Sequence, residues 1–193
     1  MSNVPVSKLT PGVFGLSHGG GLAGDLIRHA TESSYGHAFL YLGDGVIVQG
    51  QPQVAALAKA DSHSDATWAW RMWDQLAAEH KWTPAQVKVV QDAVVLRGRA
   101  LVGTPYDWAA YAAFASEVLH LAHGGAMQQF FEHNPRRVCS GLVADALTAG
   151  QIPLEFIPED GAPGLVTAGP KGTVVNLVAP GMLAGLGMRK DWF

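Results

Sequence analysis

The chain has 193 residues, of which 48% are hydrophobic and 15% are charged, and its formal net charge is −3. This length and composition suit one domain with its own hydrophobic core and exclude a disordered acidic or basic tail. The charge gives no reason to expect binding to nucleic acid or to an anionic membrane surface. The single cysteine, Cys139, excludes an internal disulfide and a cysteine-rich zinc site.

Two segments bear on the location of the protein. The N-terminal segment MSNVPVSKLTPGVFG has no basic start followed by an apolar core, so we expect no secretory signal peptide. The late segment LVAPGMLAGLGM is apolar, but it is too short and too interrupted by proline and glycine to span a bilayer. We therefore expect a cytoplasmic protein without a transmembrane segment. Delivery by a phage particle, or release by another route that uses no signal peptide, also fits.

The first part of the chain predicts loops and strands. Residues 1–24 are rich in glycine and are predicted to form a loop. Residues 37–42 and 45–49 are β-branched and aromatic and flank a Gly-Asp-Gly turn, which indicates a β-hairpin. Residues 55–66 mix small and polar side chains and predict a connection. The segment TWAWRMW alternates and predicts a half-buried strand, one face of which is formed by Trp68, Trp70 and Met72.

A helix is predicted to begin after Thr83. The hydroxyl of Thr83 can cap it, Pro84 suits the first helical position, and Gln86 stands where a capping-box partner would. The segment GTPY ends the helical pattern. The predicted apolar stripe consists of Val87, Val90, Val94 and Val95.

Two more helices are predicted in the second half. One is apolar nearly all round and runs from about 107 to 122, and the other runs from about 139 to 149 with Gly150 at its C-terminal cap. The remainder is punctuated by proline and glycine, with one clear strand, TVVNLV. The chain contains no internal repeat, so the pattern predicts one α+β domain.

Two glycine motifs and one histidine pair match known kinds of site but lack their context. GLSHG at 15–19 matches the nucleophile elbow, which needs a strand before it and a helix after it. GGGLAG at 19–24 matches the dinucleotide-binding pattern, with Asp44 about twenty residues later, but GVFGLSH is a poor buried strand and strands do not alternate with helices. His120 and His123 lack further metal ligands. We expect no metal and no cofactor.

Cys139 has two interpretations. It shares a helical stripe with apolar residues, which suits a small core side chain. A cysteine in the first turn of a helix also meets the positive end of the helix dipole, which favours the nucleophilic thiolate. Such a thiolate needs a base that is close in space, usually a histidine held in one tautomer by a third group. A histidine at the start of a strand, as expected for His37, would provide the papain-like arrangement.

Three segments together resemble the NlpC/P60 superfamily of papain-like proteins. VCSGLVADAL resembles the cysteine motif that reads roughly DCSGLV, and GTPYDW resembles the GxPYxxG segment before it. GDLIRHATESSYGHAFLYLGDGVIVQG resembles the histidine half, in which GDLV begins one strand and the histidine of HxGIYLGxG begins the next. The histidine half comes first here. The chain therefore resembles the circularly permuted branch, which includes YiiX/YebB-like and lecithin:retinol acyltransferase-like proteins.

The resemblance implies a permuted papain-like α+β fold in one domain, 1–193. An antiparallel sheet would pack against a helical bundle that carries the nucleophile helix. The matched motifs cover 24–54 and 83–150. The histidine half would occupy about 24–72 and the cysteine half about 83–150, and a C-terminal strand and loops would occupy 151–193.

The resemblance also assigns three roles. Cys139 would be the nucleophile and His37 the base. The third polar residue falls twelve positions after the histidine, at Gln49, where relatives often have histidine or an acid. The side-chain oxygen of glutamine can accept a proton from the imidazole N–H and fix the ring, but it cannot stabilise imidazolium with a full charge.

Five further residues are candidates to line the cleft. Tyr35 either lines it, helping to hold an oxyanion, or packs as a cross-strand aromatic residue. Ser140 follows the nucleophile, and Gln51 is a reserve for the third role. Tyr106 is expected to wedge the approach loop, and His133 borders the pocket or lies in a solvated loop. The sequence offers no partner for His18, His29, His63 and His80.

The implied chemistry is acyl transfer through a thioester, with backbone N–H groups at the helix start holding the oxyanion. The favoured reaction is amide or peptide hydrolysis, on a peptidoglycan stem peptide or an intracellular peptide or isopeptide. One alternative is an acyltransferase or thioesterase of the lecithin:retinol acyltransferase-like type. Another is a papain-like binding module with weak catalysis, which the neutral Gln49 keeps open. The expected partner is a peptide or acyl substrate and not nucleic acid; the oligomeric state is open.

Overall fold

A computed structural model describes residues 4–20, 25, 28, 33–107, 138–152, 154 and 180–193. Within them the chain is an α+β protein built on a five-stranded antiparallel sheet with the strand order β4-β3-β2-β1-β5. The expected α+β class and antiparallel sheet are confirmed. The strands are β1 Phe14–Ser17, β2 His37–Gly43, β3 Val46–Gly50, β4 Ala55–Lys59 and β5 Thr67–Trp68.

Four α-helices have defined ends within the described ranges. They are α1 Met72–His80, α2 Pro84–Ala100, α3 Cys139–Ala149 and α4 Pro180–Arg189, and two short 3-10 helices occupy Val6–Lys8 and Ala60–Ser62. None of the helices in the described part of the chain is both long and apolar enough to cross a membrane.

The predicted hairpin is confirmed as β2 and β3. Asp44 and Gly45 turn the chain with φ angles of 52° and 72°, the left-handed conformation that a tight hairpin turn requires. Strand β2 lies at the centre of the sheet and is covered on both faces. Leu40 and Leu42 face Gly98 of α2. The ring of Phe39 instead packs on Trp68, with 5.2 Å between the ring centroids. This alternation explains why β2 is apolar along nearly its whole length.

Helix α2 begins as the sequence predicts. Thr83 accepts a hydrogen bond from the N–H of Gln86, and the Gln86 side chain accepts one from the N–H of Thr83, so the capping box is complete. Val94 of the apolar stripe is fully buried, and Val87, Val90 and Val95 pack against the core. The stripe therefore attaches α2 to the rest of the molecule.

Helix α3 has the predicted bounds, and Gly150 is its C-cap residue as expected, although the backbone of Gly150 is not left-handed. The left-handed residue is the next one, Gln151, with φ of 57°. The N–H of Gln151 donates to the carbonyl of Thr148, and the N–H of Ile152 donates to the carbonyl of Leu147. Gly150 also permits close packing, because a Cβ there would lie 2.6 Å from a methyl group of Val94. This glycine therefore lets α3 approach α2.

Two predictions for the sheet region were wrong. Part of the expected N-terminal loop forms the buried strand β1. Gly15 makes this possible, because the rings of Phe39 and Trp68 occupy the space where its side chain would be. Part of the expected connection at 55–66 forms β4, which pairs in register with β3. Its small side chains signal no strand, and the neighbouring strand supplies the hydrogen bonds.

Two further predictions fail near the helices. The strand predicted for TWAWRMW ends at Trp68, and Met72 already begins α1, where its buried side chain joins those of Trp73 and Leu76. The resemblance implied a strand at GDLI, but Asp25, the one described residue of that segment, is helical, as is Arg28 just after it. The helix expected at 107–122 and the strand TVVNLV lie outside the described residues, apart from Asp107.

Candidate active site

The site begins at the start of β2. His37 is the first residue of that strand, and Gln49 lies on the neighbouring strand β3, where its register partner is Phe39. His37 and Gln49 are thus diagonal neighbours across the hairpin, and long side chains reach across that spacing. The distance from His37 Nε2 to Gln49 Oε1 is 2.8 Å. The hairpin therefore brings together the base and the third polar residue of the expected triad.

Cys139 is the first residue of α3 and completes the group. Its side chain is hydrogen-bonded to His37 and also accepts from the backbone N–H groups of Ala38 and Ser140. The residue before it, Val138, has an extended backbone and provides no side-chain cap for the helix. The N–H groups at the start of α3, among them that of Ser140, favour a negative charge at the sulfur.

Opposing effects act on the Cys139 thiol, which is only 2% exposed. Burial by itself raises the pKa of Cys139, but the hydrogen bond and the charge of His37, with the two backbone N–H groups, outweigh it and lower that pKa. Burial likewise opposes the charge on His37, yet its contacts with Cys139 and Gln49 raise the pKa of the imidazole. Both shifts favour a thiolate–imidazolium pair.

The sequence places two further residues against the start of α3. Gly50 ends β3, and a Cβ there would lie 3.1 Å from the Cα of Cys139 and 3.0 Å from the ring of Tyr106. The N–H of Tyr106 bonds to the carbonyl of Gln53, so the GTPY segment runs along the sheet edge. The ring of Tyr106 thus packs against the end of β3, and glycine at position 50 allows the cysteine backbone to reach the sheet.

Gln49 fixes the orientation of the His37 ring. Its side-chain oxygen can only accept, so the Nε2 of His37 must carry a proton. This leaves Nδ1 as the ring nitrogen available to Cys139. Gln49 is buried, with 7% of its surface exposed, and a buried amide is satisfied only if such partners are present.

The other cleft candidates differ in their burial and in their distance from Cys139 and His37. The side chain of Ser140 is buried beside Cys139. Tyr35 is buried and its hydroxyl donates to Thr67 at 3.3 Å, which supports its packing alternative. Gln51 is exposed, and Gln49 takes the position beside His37, so the reserve assignment is wrong. His133 lies outside the described residues.

His63 also lies at the candidate site, and the sequence did not reveal it. Its Nε2 lies 2.9 Å from Gln49 Oε1, and its ring stacks on Phe39 with a centroid distance of 4.3 Å. Burial, followed by the charge of His37, lowers the pKa of His63. Asp65 lies nearby and accepts from the N–H of His18. No periodic pattern marks His63, because it lies in an irregular segment after β4.

The rejected motifs also have a place in the fold. Ser17 of the GLSHG motif is buried inside β1 of an antiparallel sheet, not at a turn into a helix. Among the described residues, no group of three His, Cys, Asp or Glu side chains is arranged to hold a metal. His120 and His123 lie outside those residues. Neither a scan of protein-family models nor a search of curated proteins finds a match for this chain.

Proposed function

We propose that this protein is a cysteine hydrolase that works through a thioester intermediate. The single observation that carries the proposal is the chain of contacts from Cys139 at a helix start, through His37, to Gln49. These are a nucleophile, a base and a group that orients the base, which is the arrangement that nucleophilic catalysis requires. A purely structural cysteine would need neither the histidine nor the backbone N–H groups around the sulfur.

In the proposed reaction the Cys139 thiolate attacks the carbonyl carbon of an amide. A C–S bond forms, and the C–N bond breaks as the His37 imidazolium gives its proton to the departing amine. Water then attacks the thioester carbonyl while neutral His37 accepts a water proton. The C–S bond breaks, the acid product leaves, and the thiolate–imidazolium pair is restored. Backbone N–H groups at the start of α3 stabilise the oxyanion of each tetrahedral intermediate.

The substrate class follows from the resemblance to NlpC/P60 proteins and not from the geometry of the site. A peptide bond of a peptidoglycan stem peptide is the first choice, and an intracellular peptide or isopeptide is the next. If an amine or a lipid accepted the acyl group in place of water, the same thioester would serve an acyltransferase. If the substrate were a thioester in place of an amide, so that a thiol departed, the enzyme would be a thioesterase.

The test is to trap the acyl-enzyme. Because Cys139 is the only cysteine, a thioester adduct found by mass spectrometry after mixing with an activated ester must lie on it. We expect a transient adduct of one acyl group in the wild type and none in Cys139→Ala. A panel of stem peptides and amides then identifies the substrate. A wild type that never acquires the adduct, although it remains folded, would contradict the proposal.

A binding module on the same scaffold is the second candidate. Two observations favour it: Cys139 is almost completely buried, and Gln49 is neutral where an acid would stabilise imidazolium more strongly. This alternative predicts that saturating peptide ligands bind without turnover and that Cys139→Ala binds them equally well. Turnover that is lost in Cys139→Ala would exclude it.

A further inference from the structure

Gln49 is unusual in that two histidines share its side-chain oxygen. Oε1 lies 2.8 Å from Nε2 of His37 and 2.9 Å from Nε2 of His63. The centroids of the two imidazole rings lie 5.7 Å apart. A carbonyl oxygen has two lone pairs, so it can accept from both rings at once.

The amide of Gln49 has two orientations with opposite consequences. With the oxygen toward the rings, His37 carries its proton on Nε2, and Nδ1 is free to accept the thiol proton of Cys139. With the NH₂ group toward the rings, neutral His37 would carry its proton on Nδ1 and could not accept a second one there. The competence of the base therefore depends on which end of the amide faces the imidazoles.

We propose that His63 is a positioning residue that holds the oxygen of Gln49 toward His37 and so sets the tautomer of the catalytic base. The inference rests on the proposed function, because it assigns His63 a part in the same reaction. His63 donates its Nε2–H as the second hydrogen bond to Oε1. It touches neither the nucleophile nor the bond to be cleaved in this arrangement, and it acts through Gln49.

The surroundings of His63 suit a fixed, neutral donor. Its ring lies almost parallel to that of Phe39, with an interplanar angle of 22°, so the stack fixes the direction of Nε2. The titratable groups that act on it are His37, across Gln49, and Asp65, two residues later. Burial and the charge of His37 lower its pKa, which keeps the ring neutral while His37 is charged.

Two substitutions separate the donor from the stack. His63→Phe keeps an aromatic ring on Phe39 but removes the donor, and His63→Gln restores an N–H donor of similar reach. His80→Phe is the matched control, because His80 is an exposed histidine stacked on Trp82 at 4.8 Å and takes no part in the site. All three variants are first checked for cooperative unfolding.

The measurement is the rate of Cys139 alkylation by iodoacetamide against pH. We expect His63→Phe to lower the rate near neutral pH by about fivefold, the equivalent of one ordinary hydrogen bond. His63→Gln should recover most of the rate, and His80→Phe should match the wild type. Ring ¹⁵N shifts of His37 should show loss of the Nε2–H tautomer in His63→Phe alone.

A double-mutant cycle tests whether the effect passes through Gln49. In a Gln49→Leu background, His63→Phe should change the alkylation rate less than about twofold, because the shared acceptor is already gone. A wild-type rate in His63→Phe, or an equal loss with and without Gln49, would overturn the positioning role while leaving the proposed function intact. A wild type with an ordinary, unreactive thiol would overturn the proposed function and this inference with it.

Discussion

Gln49 provides a neutral hydrogen-bond acceptor for His37, a residue whose charge is decided by its contacts. It orients His37 through a 2.8 Å hydrogen bond, but it gives the imidazolium no opposite charge. The raised pKa of His37 therefore depends first on Cys139, whose thiolate lies against the ring, and this contact has to overcome the effect of burial. The two members of the pair thus stabilise each other's charged forms.

Removing the thiolate tests this dependence. In Cys139→Ala the burial of His37 remains while the opposite charge is lost, so the pKa of His37 should fall below its ordinary value of 6.5. In the wild type it lies above that value. An NMR titration of the His37 imidazole protons measures both. A pKa of His37 that stays raised in Cys139→Ala would show that another group holds the proton.

Adding a negative charge at position 49 tests the role of the neutral amide. In Gln49→Glu the carboxylate would face both His37 and His63, and an opposite charge at hydrogen-bond distance favours the protonated imidazole. The pKa values of both histidines should therefore rise, by about one unit or more. Gln51→Glu adds the same charge at an exposed position and should leave both values unchanged. Equal titration curves in the two variants would contradict the arrangement.

Helices α2 and α3 pack closely against the sheet and against each other. Gly98 of α2 is buried, and a Cβ on it would lie 2.5 Å from Cδ2 of Leu40 and 3.0 Å from Cδ2 of Leu42. Both leucines are buried in β2 and have little room to move. Where α2 and α3 meet, Arg97 makes a two-pronged ion pair with Asp145, with N–O distances of 2.8 and 2.9 Å.

Gly98→Ala should destabilise the protein although alanine is the better helix former. The clash with β2 is expected to cost about 1–3 kcal/mol of unfolding free energy. Gly185→Ala in α4 is the matched control, since among the described residues the nearest atom to its Cβ would be Nη1 of Arg189, at 3.7 Å. It should stabilise by about 0.5–1 kcal/mol. Urea denaturation measures both, and equal effects of the two substitutions would contradict the packing.

The elements differ in how well the sequence predicts them, for physical reasons. Helix α2 and the β2–β3 hairpin carry their own signals, a capping box at Thr83 and a Gly-Asp-Gly turn at 43–45, because these are local hydrogen bonds and backbone angles. Strands β1 and β4 have no such signal. In β1, Gly15 leaves room for the rings of Phe39 and Trp68, and in β4 the backbone pairs in register with β3, and both are tertiary properties.

The candidate site divides in the same way. His37 and Gln49 are connected by a hairpin register, so a twelve-residue spacing in the sequence is enough to pair them. Cys139 was assigned by resemblance to a family motif, and the structure brings it to His37 through packing of α3. His63 was missed because its partner Gln49 is reached by an irregular segment that no periodicity describes.

At the scale of the whole molecule, the site exists only in the folded chain. Residues 37 and 139 are about a hundred positions apart, and no local structure connects them. For a small domain that unfolds cooperatively, thiol activation and global structure should be lost together. In increasing urea near neutral pH, the faster Cys139 alkylation of the wild type relative to His37→Ala should disappear at the midpoint of unfolding measured by tryptophan fluorescence. Activation that survives beyond that midpoint would contradict a tertiary origin.

The central claim is that Cys139 and His37 form a thiolate–imidazolium pair. The most direct measurement is the rate of Cys139 alkylation against pH in the wild type and in His37→Ala, with His80→Ala as the control. We predict a fast rate already below pH 7 in the wild type and control, lost in His37→Ala. A rate that rises only as the pH approaches the free-thiol pKa of about 8.5, in all three proteins, would mean a structural cysteine and would contradict the thiolate–imidazolium pair.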